Sequence, residues 1–184
     1  EVATGAVLWY LSLAELAAGR LAKAAEHADR QRELARLYAT DDRENPLAIW
    51  VVARIAAHRG ELERARALAE RSRELAAGQP PIVAGQEAVL GLVAAWSGRP
   101  GEATKHFAVA DDLRYDSGVR TPGSYWWRPE QVEALLEVGR ADAAVSLLDV
   151  WEADAARLSL DPFLAQAARC RGLVAAARGD VGEG

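Results

Sequence analysis

The sequence predicts an all-α fold, a right-handed α-solenoid of antiparallel helix pairs with repeats of about 40 residues. Three observations carry this expectation. Gly19-Arg20, Gly60-Glu61, Gly98-Arg99, Gly139-Arg140 and Gly179-Asp180 recur at spacings of 41, 38, 41 and 40 residues. An alanine stands five residues after each of the first four glycines (Ala24, Ala65, Ala103, Ala144), and a small residue stands seven before four of the five (Ser12, Ala53, Gly91, Gly172), with only Val132 departing. Apolar residues fall at i, i+3, i+4 and i+7, and no run alternates as a half-buried strand would.

This reading places helices at 3–18, 20–38, 46–59, 61–77, 82–97, 100–113, 129–138, 140–157 and 162–178. The first carries Leu8, Leu11 and Leu16 on one stripe and ends at Gly19, which opens the second. Asn45-Pro46 starts the third: proline lacks an N–H that a first turn leaves unpaired anyway, and asparagine caps the donors that remain. Gly60 ends it, and Leu62, Ala65, Leu68 and Ala69 form the stripe of the fourth. The fifth runs to Gly98, and Arg99-Pro100 starts the sixth. From Arg114 to Arg128 the chain reads as a connection of about 15 residues, because Pro129 disfavours helix at Arg128. That connection, with Tyr125-Trp126-Trp127 at its end, either caps a groove or joins a partner, or tucks one ring against Val132 or Leu135 as a hydrophobic staple. Gly139 divides the seventh helix from the eighth, and Asp161-Pro162 starts the ninth with the aspartate as cap.

Composition bounds the function. Half the residues are apolar, 51%, yet charges, Gly and Pro break every run short of the roughly 18 residues a membrane span needs. No secretory signal appears, and the single cysteine, Cys170, suits a reducing, cytoplasmic setting. A net charge of −5 argues against nucleic-acid binding, which favours a basic stripe. The chain holds no methionine and stops where the repeat predicts another helix, so residues 1–184 read as one repeat domain cut from a longer polypeptide.

No catalytic constellation stands out. His27, His58 and His106 are far apart, no H-x-x-x-H or C-x-x-C pair is present, and no lysine sits in a phosphate loop. The expectation is therefore no enzyme activity, no metal and no cofactor. His58 precedes Gly60 by two residues, which suggests a solvated contact with the helix C-terminal dipole. His27 and His106 share a register and read as inter-helix packing positions, and Cys170 as a small buried hydrophobe. Asp41-Asp42-Arg43-Glu44 lacks calcium-loop spacing and reads as a solvated turn.

Small residues on both helices and a turn glycine, in this order, resemble the tetratricopeptide repeat, whose usual period is about 34 residues. Val132-Glu133-Ala134-Leu135-Leu136-Glu137-Val138-Gly139-Arg140, and the stretch from Ala168 to Asp180, are similar to the helical repeat region of large ATP-binding LuxR-type transcriptional regulators. The resemblance implies a non-catalytic sensor and assembly surface between an N-terminal STAND-type ATPase module and a C-terminal helix-turn-helix domain. A general tetratricopeptide adaptor that grips a partner peptide is the other reading.

Trp9 and Trp50 both lie ten residues before their turn glycine, so the repeat makes them neighbours on successive first helices. In tetratricopeptide solenoids this face lines the concave groove. The candidate site is Trp9, Leu13, Leu47, Trp50, Arg54, Trp96 and Trp126, and its expected occupant is a small-molecule effector or a protein partner. An arginine among tryptophans suits an anionic or planar ligand. Self-association remains open. The competing reading puts the rings between repeats as packing, since one tryptophan buries about 150–250 Å².

Overall fold

A computed structural model describes residues 2–37, 45–118 and 121–180. Among them the chain forms nine α-helices and no strand: α1 Val2–Ala17, α2 Leu21–Leu37, α3 Pro46–His58, α4 Leu62–Leu75, α5 Pro80–Trp96, α6 Pro100–Asp116, α7 Arg128–Glu137, α8 Ala141–Arg157 and α9 Asp161–Arg178. A 3₁₀ turn at Pro122–Tyr125 precedes α7. The end of the second predicted helix at Tyr38, the Asp41-Asp42-Arg43-Glu44 cluster and the helix expected beyond Asp180 lie outside the described residues. None of the described helices is long and apolar enough to cross a membrane.

The turn glycines do what only glycine does cheaply. All five adopt φ between 69° and 78°, a left-handed conformation that costs an L side chain about 1–2 kcal/mol. In each, the next residue's N–H reaches back to the helix: Arg20 to the Glu15 carbonyl at 2.9 Å, Glu61 to Ala56 at 3.0 Å, Arg99 to Ala94 at 2.9 Å, Arg140 to Leu135 at 2.8 Å and Asp180 to Ala175 at 2.9 Å. These are Schellman closures, and they satisfy carbonyls that a helix end leaves open. Ser159 makes the same closure between α8 and α9 at φ 53°, with Leu160 N–H bonded to the Ala155 carbonyl at 2.9 Å. No glycine marks that turn in the sequence.

Helix starts follow the proline rule, with one correction. Asn45 caps α3 as expected, its Oδ1 accepting from Leu47 N–H at 2.9 Å and Ala48 N–H at 3.4 Å. Asp161 does not cap α9; it lies inside the first turn, and Leu160 at the cap position makes no side-chain bond. The aspartate acts there only by its charge on the positive end of the helix dipole. α6 runs three residues past its expected end, to Asp116, which shortens the connection to α7.

Each even-numbered helix packs between its two sequence neighbours, and α1, α3, α5, α7 and α9 touch one another in succession. The repeat alanines sit at the closest approaches: Ala24, Ala65, Ala103 and Ala144 are each 0% exposed. Ser12, Ala53 and Val132 are equally buried. At Gly91 an added Cβ would stand 2.5 Å from the ring of Phe107, a fully buried side chain on α6. Gly172 breaks the pattern. It is exposed and a Cβ there would meet nothing within 4 Å, because no described helix covers it.

Candidate functional site

Trp9 on α1 and Trp50 on α3 are neighbours, with ring centroids 5.9 Å apart. Trp126, carried in by the stretch between the 3₁₀ turn and α7, continues the row 6.4 Å from Trp50. Trp50 is only 6% exposed, which favours the competing reading of inter-helix packing for that ring. α5 runs against its indole edge, so that a Cβ on Gly85 would stand 2.8 Å from Trp50 Nε1. Trp50 is thus packing, and the more open members are Trp9 and Trp126, both half-buried. Leu13 and Leu47 are half-buried against the same apolar cluster as Trp50. Trp96 is 40% exposed and meets the imidazole of His58 edge-on, centroids 5.2 Å apart.

Arg54, one turn beyond Trp50, lays its guanidinium on the Trp126 ring, 3.6 Å from the centroid. The side chain is half-buried, and its Nε has no hydrogen-bond partner among the described residues. The carboxylate that acts on it is Glu130, through space. Burial pulls the Arg54 pKa below the usual arginine range, with Glu130 pulling the other way. Burial likewise raises the Glu130 carboxyl, against its own backbone N–H and the Arg54 charge. The indole N–H groups of Trp9, Trp50 and Trp126 also lack acceptors among the described residues. Among the described residues the row therefore has an excess of buried donors, and the Arg54 cation has no contacting counter-ion.

His58 stands in the last turn of α3 and is exposed, as its position suggests, but it is not a cation there. Its ring lies against Trp96, and desolvation, then the Arg54 charge one turn away, push its pKa down to about 4. It is neutral at physiological pH. Cys170 fits the expectation: it is 0% exposed, and burial pushes its thiol up to about 11, far from a reactive thiolate.

A second aromatic cluster, absent from the candidate residues above, forms where α6 meets α7. Asp111 accepts from Trp127 Nε1 at 3.1 Å, from Arg128 Nη1 at 2.5 Å and from Gln131 Nε2 at 2.8 Å. Arg128 also donates to Gln131 Oε1 at 2.7 Å and stacks on Tyr125, 4.5 Å from the ring centroid. Trp127 is 0% exposed and packs with Phe107, Leu92 and Ala88, not with Val132 or Leu135. A third polar cluster ties α4, α5 and α6: Glu87 accepts from Arg73 at 2.9 Å and pairs with His106 Nδ1 at 2.7 Å. Burial alone would raise Glu87, but these bonds outweigh it and hold its carboxyl below the usual range.

No protein-family model and no curated protein matches this chain. Among the described residues, no three His, Cys, Asp or Glu side chains are placed to share a metal ion.

Proposed function

We propose that this chain is a non-catalytic sensor domain, a right-handed tetratricopeptide-like solenoid that serves as the effector-binding or partner-binding region of a cytoplasmic LuxR-type regulator with a STAND ATPase module. The succession of contacts among odd-numbered helices supports the solenoid. The observation that carries the ligand reading is Arg54, its guanidinium over the Trp126 ring with no counter-ion in contact among the described residues. A guanidinium already oriented and partly desolvated loses less on binding, and its planar fork matches a carboxylate. The ligand is a planar anion, its charge at Arg54 and its body beside Trp126 and Trp9.

Such a ligand would bridge α3 and the connection before α7, and so favour one angle between repeats over others. An effector with that differential affinity shifts the population of repeat curvatures and biases the flanking modules. On this reading the domain alone neither hydrolyses ATP nor binds duplex DNA above background. Titrating benzoate, phenylacetate and their amides against tryptophan fluorescence tests the site. The acids should quench, the amides should not, and Arg54→Gln should abolish the difference without unfolding the chain. Equal responses to acid and amide would sink the proposal, as would stoichiometric ATP binding.

A further inference from the structure

Arg54 has a second charged group for a neighbour. Its guanidinium stands 3.6 Å from the centre of the Trp126 ring, and Glu130 follows that tryptophan by four residues, in the first turn of α7. Each charge acts on the other through space, yet no hydrogen bond or ion pair joins them among the described residues. Glu133, the other acid that acts on Glu130, is already taken by Arg169, whose Nη1 donates to it at 2.9 Å. Arg54, Trp126 and Glu130 are all half-buried, and burial disfavours the charged form of both the arginine and the glutamate. The site thus presents a cation on α3 and a carboxyl on α7, beside one ring, partly stripped of water and not bonded to each other.

We infer, resting on the reading of Arg54 as the anchor of an anion, that the ligand is a free aromatic α-amino acid, with its carboxylate on Arg54, its ammonium on Glu130 and its ring beside Trp126 and Trp9. A plain aromatic carboxylate satisfies Arg54 but sets its negative charge against Glu130, which opposes binding whenever that carboxyl is ionised. An ammonium next to the carboxylate turns the repulsion into a charge-assisted hydrogen bond. The desolvated setting favours the same choice, because a zwitterion brings no net charge into the site and still gives each half-buried group its opposite. On an α-amino acid the two charges diverge from one carbon, so one small molecule bridges two side chains that do not touch. An aromatic amine without a carboxylate would meet Arg54 with like charge. The C-terminus of a peptide offers the carboxylate without the α-ammonium, so the pair selects the free amino acid over a partner peptide.

Calorimetric titration of the whole chain at neutral pH with phenylalanine, hydrocinnamate, phenyllactate, N-acetylphenylalanine and phenethylamine separates the contributions. Hydrocinnamate is phenylalanine without its ammonium, phenyllactate has a hydroxyl there, N-acetylphenylalanine an amide, and phenethylamine lacks the carboxylate. Phenylalanine should bind about tenfold or more tighter than each of the three acids, the ratio that one charge-assisted hydrogen bond supports, and phenethylamine should not bind. Glu130→Gln, close to the native side chain in shape, should remove the preference for phenylalanine over hydrocinnamate. Arg54→Gln should remove the binding of both. Equal affinity for phenylalanine and hydrocinnamate overturns the inference and leaves the anion reading standing, as does phenyllactate or N-acetylphenylalanine matching phenylalanine, or a preference that survives Glu130→Gln. Binding of neither phenylalanine nor hydrocinnamate overturns both. The ligand series on the unaltered chain decides the matter even where circular dichroism shows that a variant has lost its helices.

Discussion

Arg54 and Arg128 both lie on aromatic rings, and they differ in what holds them. Arg128 stacks on Tyr125 and donates to Asp111 and Gln131, with Trp127 donating to the same aspartate. Arg54 stacks on Trp126 and donates to no described residue. The two tryptophans at these sites are adjacent residues, Trp126 and Trp127, set edge to face at 88° with centroids 5.5 Å apart. One faces the core between α5 and α6; the other faces the tryptophan row. The same residue types thus make a bolted joint on one side and an unfinished site on the other. A buried cation is tolerable when its bonds are satisfied and costly when they are not, so the unfinished site is where a ligand has most to add.

The largest expected effect tests the joint. Trp127→Ala removes a fully buried ring and should cost about 3–5 kcal/mol of stability in urea unfolding. Trp126→Ala, half-buried, should cost about 1–2 kcal/mol. Equal losses would erase the contrast between core and site. Next comes Asp111→Ala, which leaves Trp127 Nε1, Arg128 and Gln131 without their shared acceptor and should cost about 1–3 kcal/mol. Arg54→Gln should lie within about 1 kcal/mol of wild type, because it removes an unpaired charge rather than a network. A large loss at Arg54 would mark it as a structural residue and weaken the case for a ligand.

Much of this contrast was legible in the sequence, and some could not be. The glycine spacing located its inter-helix turns because φ near 70° nearly demands glycine, and it missed the turn before α9 because Ser159 tolerates the same conformation. Register alone placed Trp9 beside Trp50, since equivalent positions on successive repeats must meet. It could not show that Gly85 would press α5 against Trp50 and bury it. Trp126 and Trp127 look alike as neighbours in a connection, and only the path of the chain turns one to each side. Asp111 gave no signal, because an aspartate on an amphipathic helix reads as solvated until Trp127, Arg128 and Gln131 converge on it. His58 was legible in place but not in charge: its exposed position at a helix end was visible, whereas the Trp96 ring and the Arg54 charge that keep it neutral there were not.

The smallest expected effect extends the comparison to protons. Glu87, bonded by Arg73 and His106, has its carboxyl held below the ordinary value of 4.5, whereas Glu130, half-buried without such bonds, has it raised by desolvation. The signs are opposite. For Glu87, ionisation is favoured by folding, so its contribution is present above the unfolded pKa and fades as pH falls through the folded one. For Glu130, the neutral form is favoured, so its contribution is present at low pH and is lost as pH rises through its elevated folded pKa. Thermal melts of Glu87→Gln and Glu130→Gln from acid to neutral pH should therefore diverge. Glu87→Gln should be least stable relative to wild type at neutral pH and approach it in acid. Glu130→Gln should match wild type in acid and gain on it toward neutrality, because glutamine stays uncharged where the native carboxyl is forced to ionise in a desolvated place. If both variants move in the same direction, the difference between a satisfied cluster and an unfinished one does not extend to their carboxylates.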